Sequence, residues 1–141
     1  MAVDPHSHVP VYEQIVEYVY GAIATGVYRP DEPLPSIRAM ALELLVNPNT
    51  VQRAYQELER QGIVYTRKGL GVFVASNGSA SARSRTETSV RERFEQGVGL
   101  GRSAGLSNLD LKRLFEHSLR DATDQADQSG AKGLSDKGAS T

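Results

Sequence analysis

In "VNPNTVQRAYQELERQG", Val46 to Gly62, amide and guanidinium side chains recur on one side of a patterned helix. On a helical wheel at about 100° per residue, Asn49, Gln52, Arg53, Gln56 and Arg60 form one stripe. Val51, Ala54, Tyr55 and Leu58 form the opposite face, and the acids Glu57 and Glu59 fall on the flanks. Asn and Gln can pair with the N6/N7 edge of adenine, and Arg with O6/N7 of guanine. A carboxylate in the middle of the stripe would repel phosphates. Asn47 is placed to cap the helix, with Pro48 at its first position, where a missing N–H costs nothing. Asn49 and Thr50 then present short hydrogen-bonding groups at a helix N-terminus, whose free N–H groups and partial positive charge suit a phosphate. This is the chemistry of a helix entering a DNA groove.

A polar stripe is also what a merely solvated face looks like, and N-P-N-T is also simply a good cap. The neighbours separate the two. The connection "LVN" behind the preceding helix is tight, as in a helix-turn-helix. That preceding helix starts at Ser36 and exposes Arg38, a second cation aimed at the same side. Beyond Gly62, Arg67 and Lys68 stand beside Gly69 and Gly71, which let backbone approach a phosphate closely.

The elements that must hold these residues follow from periodicity. After Pro10, apolar residues at Tyr12, Val16, Val19 and Ile23 step by four, three and four, so an amphipathic helix runs to a glycine cap near Gly26. "YRPDEPLP" is a rigid non-helical connector. Ser36 caps a short second helix through Ile37, Met40, Ala41 and Leu44. The third helix spans Pro48 to Gly62. Two β-prone runs, Ile63 to Arg67 and Val72 to Ala75, flank a four-residue loop with two glycines, which is a hairpin pattern. Helix, helix, helix, hairpin is the order of a winged helix-turn-helix. The predicted fold is therefore mainly α with a small β-hairpin, followed by a short two-helix appendage.

Composition narrows the classes. The chain has 141 residues, a formal net charge of −1 and no cysteine. Disulfides, thiolate nucleophiles and Cys-based zinc sites are excluded, which fits a cytoplasmic protein. No apolar run approaches the length of a membrane span, and the N-terminus lacks the pattern of a signal peptide. With near-neutral charge, any nucleic-acid function must rest on a local patch.

These residues resemble the GntR family of bacterial transcription regulators. The resemblance covers residues 10 to 75, and its elements L-P-S-x-R, N-P-N-T-V-x-R-A-Y and K-G-x-G-x-F-V stand in the family's order and spacing. N-P-N-T-V with a short C-terminal part looks like the YtrA-type subfamily. The resemblance implies a homodimeric repressor on double-stranded DNA with a palindromic operator, in a family whose members often sit with genes for membrane transporters. Family DNA contacts map onto Ser36 and Arg38, onto Asn47, Pro48, Asn49, Thr50, Gln52 and Arg53, and onto Lys68, Gly69 and Gly71 of a wing that approaches the minor groove. One departure is Asp31, where the family has glycine in the connector before L-P-S.

The domain reading is a flexible arm at 1–9, the winged helix-turn-helix at 10–75, a linker at 76–85, a helical dimerisation region at 86–121 and a disordered tail at 122–141. "SNGSASARSRTET" is small and polar, hence the linker. Val90, Phe94 and Val98 step by four in a helix weakened by Gly97, Gly99, Gly101 and Gly105, at roughly 1 kcal/mol each against alanine. A last helix, capped by Ser107 or Asn108, carries Leu111, Leu114, Phe115 and Leu119. Two helices per subunit cannot enclose an effector pocket of roughly 300–1,000 Å³, but they can form a dimer interface.

No catalytic constellation or cofactor motif stands out. His6 and His8 lack a third metal ligand, and "GVGLGRSAG" lacks the strand and Lys-Ser/Thr ending of a phosphate loop. The tyrosines, Tyr12 among them, are expected in core and rim packing. A competing function of another class is a winged helix used only for protein–protein contact, which predicts salt-insensitive behaviour toward DNA. The acid-free stripe and basic wing tip favour DNA.

Overall fold

A computed structural model of the chain describes residues 3–135, with side-chain surroundings through residue 128. The elements run α1 (Val11–Ala24), α2 (Ile37–Leu44), α3 (Pro48–Arg60), β1 (Val64–Arg67), β2 (Gly71–Val74), α4 (Gly78–Ser103) and α5 (Asn108–Ser135). This is the mainly α fold with a hairpin that the periodicity predicts. Two compact units divide the chain, residues 1–91 and 92–141.

The first unit is a three-helix cluster closed by the hairpin. Ser36 Oγ caps α2 by accepting from the Ala39 N–H at 3.0 Å. Asn47 Oδ1 caps α3 by accepting from the Asn49 N–H at 2.8 Å, and Pro48 fills the first turn. All four residues assigned to the inner face of α3 are buried. They pack with Ile15, Val19 and Ile23 of α1 and Met40 and Leu44 of α2 in one core. The hairpin is antiparallel, with Val64 opposite Val74 and Arg67 opposite Gly71. The connector before α2 runs along β2. Asp31 N–H donates to Val74 O, Leu34 N–H to Val72 O, and Val74 N–H to Glu32 O, each at 2.8–2.9 Å. The start of α2 and the wing therefore share one backbone frame.

Two non-glycine residues take left-handed backbone. Asp31, at the departure from the family's glycine, has φ 63°. Asp tolerates this region better than most L-residues, and its carboxylate accepts from the Tyr65 hydroxyl at 3.0 Å. Leu45, which ends α2, has φ 55° and is 90% exposed. Its side chain buries nothing to offset a backbone cost of roughly 1–2 kcal/mol. Leu45→Gly should therefore stabilise the domain by about 1 kcal/mol, read as a higher midpoint in thermal unfolding at fixed protein concentration.

Three boundaries differ from expectation. Residues 76–85 are not a linker: α4 begins at Gly78, and Gly78 and Ala82 are buried. A Cβ on Gly78 would stand 2.9 Å from Val74 Cγ1 and 3.2 Å from the Ile63 carbonyl oxygen. The small side chains that read as flexibility are what close packing at this helix start requires. The arm is also held. Asp4 N–H donates to Gln14 Oε1 at 2.9 Å, while Gln14 Nε2 donates to the carbonyls of Asp4 and Val9, and Val3 packs against the core. Residues 1–2 lie outside the described residues. Finally, α5 continues past Asp121 to Ser135. Its side chains at 121–128 are exposed, so the polar composition reported the absence of a core there, not of a helix. The part of the expected tail at 136–141 lies outside the described residues.

In the second unit α4 is continuous through Gly97, Gly99 and Gly101. Gly101 is buried, and a Cβ on it would stand 2.5 Å from Leu111 Cδ2. α5 begins at a reciprocal cap: Ser107 Oγ accepts from the Asp110 N–H, and Asp110 Oδ2 accepts from the Ser107 N–H. Hydrogen bonding from Ser107, its backbone N–H first, holds the Asp110 carboxyl below the usual range. Phe94 and Phe115 meet edge to face with centroids 5.5 Å apart. Around them lies an open, mostly apolar groove of about 540 Å³ bordered by Arg93 and Lys112.

Candidate nucleic-acid interface

The outer face of α3 is exposed from its first turn. Asn49, Gln52 and Arg53 are exposed and Thr50 is half-buried. The geometry sorts the cations of the predicted stripe. Arg60 is engaged by Glu57, with Nε to Oε2 at 2.9 Å and Nη2 to Oε1 at 2.5 Å. The Arg60 hydrogen bonds hold the Glu57 carboxyl down at about 2. Arg60 is therefore a neutralised pair at the far end of the helix. Arg53 instead lies over the Tyr12 ring, its Cζ 3.9 Å from the centroid. Among the described residues no protein acceptor takes its N–H groups, so its charge and donors face solvent.

The other predicted residues divide by role. Ser36 and Asn47 spend their side-chain oxygens on the caps of α2 and α3, so their first effect is to hold Arg38 and Asn49 in place. Pro48 is the first residue of α3. Arg38 is exposed in the first turn of α2. The Tyr55 hydroxyl, donating to the Pro35 carbonyl at 2.8 Å, ties α3 to the residue before Ser36. Burial pushes the Tyr55 phenol up, so this donor stays protonated. Lys68, Gly69 and Gly71 form the exposed hairpin tip, where Gly69 and Gly71 have φ 78° and 118°. A side chain at either would strain the turn that brings backbone to the surface.

Asn49, Thr50 and Arg53 are brought together in one open cleft with Pro10, Val11 and Tyr12 at the start of α1. The wing packs against α3 through β1. Tyr12, which the sequence assigns to packing, also borders this cleft. Its ring does pack against the core, and it also supports Arg53. The signal was available as an aromatic in the first turn of the helix that packs on α3. No helix among the described residues is long and apolar enough to cross a membrane.

Comparison with known proteins agrees with this geometry. Residues 11–74 match the family described as bacterial regulatory proteins, gntR family. The chain is 35% identical over 114 residues to the HTH-type transcriptional repressor YtrA of Bacillus subtilis (strain 168), spanning 81% of this chain and 85% of that protein. A solved GntR family transcriptional regulator from Listeria monocytogenes superposes with a TM-score of 0.63 at 30% identity, over 81% of this chain and 97% of that one. The DNA-binding domain of AraR in complex with operator ORX1 superposes with a TM-score of 0.50 at 29% identity, over 53% of this chain and 95% of that one. The chain belongs to the gntR family of bacterial regulatory proteins, and its winged helix-turn-helix is that of a DNA-binding transcription regulator.

Proposed function

We propose that the protein is a homodimeric repressor, acting in the cytoplasm on a palindromic operator. The observation that carries this reading is the outer face of α3, where Asn49, Gln52 and Arg53 stand exposed with no carboxylate among them. Gln52 and Arg53 read base edges in the major groove, supported by Asn49 and Thr50. Arg38 and the α2 start contact phosphate. Lys68 and the backbone at Gly69 and Gly71 bring the wing to the minor groove. The homodimer is supported by the apolar side chains that the second unit leaves exposed, Phe94, Leu114, Phe115 and Leu119 among them. Two copies would set two recognition helices about 34 Å apart, in successive major grooves. Control of a transporter operon is the expectation carried by the family resemblance.

The test is selection of bound duplexes from a random DNA pool at near-physiological salt. A two-fold motif with half-sites one helical turn apart is expected. A folded protein that enriches no motif would sink the reading. On the selected operator Arg53→Ala should cost roughly 1–3 kcal/mol and relax preference at one position per half-site. Equal weakening on operator and random duplex would assign Arg53 to phosphate instead.

A further inference from the structure

Among the described residues Arg53 has no ion pair to aim it, yet its guanidinium is not loose. Its Cζ lies 3.9 Å from the centroid of the Tyr12 ring. Arg60, on the same helix, is held differently. There the carboxylate of Glu57 takes two of the N–H donors and cancels the charge. A ring attracts a guanidinium through its negative π face without accepting any of those in-plane N–H groups. Arg53 therefore keeps the donor edge and the charge that guanine or phosphate would need.

The ring itself has a firm mount. Tyr12 sits in the first turn of α1, half-buried against the core, and its hydroxyl donates to Glu13 Oε1 at 3.0 Å. The chain leading into that turn is fixed by Gln14, which donates to the carbonyls of Asp4 and Val9. The start of α1 and the start of α3 thus line one cleft, with Asn49, Thr50 and Arg53 on its far side. A long, rotamer-rich arginine loses conformational freedom when it docks. A side chain already resting on a fixed surface has less to lose.

We propose that Tyr12 is a positioning residue for base recognition: its ring holds the Arg53 guanidinium ready to read the operator while leaving its hydrogen-bond donors free. The proposal rests on the reading of Arg53 as a base contact. It makes part of the sequence preference depend on a residue of α1, outside the helix-turn-helix itself.

The experiment is the same duplex selection, run on the full chain as Arg53→Ala, Tyr12→Leu, Tyr12→Phe and the Arg53→Ala/Tyr12→Leu double variant, each checked by thermal unfolding. Arg53→Ala should flatten base preference at one position of each half-site. Tyr12→Leu, which keeps apolar cover but removes the π face, should reduce preference at that same position by about two- to fivefold. Tyr12→Phe should retain it, and the double variant should match Arg53→Ala alone. If Tyr12→Leu leaves that position unchanged, or weakens all positions evenly, the ring only packs and the proposal falls. Loss of preference in Tyr12→Phe would also overturn it, because the hydroxyl would then be responsible. If Arg53→Ala flattens no position, the reading of Arg53 fails first and the role of Tyr12 goes with it, a result distinguishable from failure at Tyr12 alone.

Discussion

Phe115→Glu should break the proposed homodimer and weaken operator binding by about 10²- to 10⁴-fold, the range expected when two linked sites become separate ones. Phe115 and Phe94 are 46% and 54% exposed in the single chain, although they already touch each other. Half-covered phenyl rings beside exposed Leu114 and Leu119 form an apolar surface that water disfavours. A second copy laid on it would remove that surface from water, and a carboxylate at its centre would then have to be desolvated without a partner. Phe115 lies in the second unit, so the winged helix should stay folded and still bind a half-site weakly. Sedimentation across protein concentration reads the oligomeric state, and operator titration reads the affinity. The salt dependence adds an independent check. A monomer neutralises about half as many phosphates, so the slope of log K against log salt should fall to roughly half. A variant that stays dimeric with full affinity would show that this face is not the interface.

How much was legible in the sequence varied with the kind of signal. The third helix was readable almost to the residue, because three signals agreed. An asparagine cap and Pro48 fixed its start, the 3.6-residue period fixed its buried side, and Gly62 fixed its end. The hairpin was readable for the same reason, since β-prone runs and a glycine-rich turn agreed. The start of α4 was misread because smallness has two causes. Gly78 is small because Val74 and the Ile63 carbonyl lie against it, and Ala82, one turn on, is buried in the core, contacts no local pattern displays. The continuation of α5 was missed because apolar content reports burial, while a helix can continue with its side chains in water, as those at 121–128 are. At the site, the stripe on α3 was visible from spacing, but the state of its cations was not. Arg53 and Arg60 share the stripe, yet one is taken by Glu57 and the other rests on Tyr12 of another helix. Which charge remains available is a tertiary property.

Leu58→Ala should cost about 2–5 kcal/mol of stability, the range for truncating a fully buried leucine. Leu58 is 0% exposed, and its carbonyl receives the Ile63 N–H at 3.0 Å, where the chain leaves α3 for the hairpin. The cavity would open within the one core that α1, α2, α3 and the hairpin share. Small domains hold only about 5–15 kcal/mol in total, so the thermal midpoint should drop by roughly ten degrees or more at fixed protein concentration. Leu58 and Arg53 occupy opposite faces of one helix, and this makes the variant informative about recognition. Leu58→Ala should bind less operator only in proportion to the unfolded fraction, with base preference unchanged at temperatures where the domain is folded. Arg53→Ala should show the reverse, near-normal unfolding with altered preference. Urea unfolding followed by circular dichroism measures the first property and duplex selection the second. A shift in base preference for Leu58→Ala while still folded would mean that the core face sets the pose of the reading face, and that stability and recognition in α3 are coupled. A loss below about 1 kcal/mol would instead mean that the domain can collapse around the missing side chain.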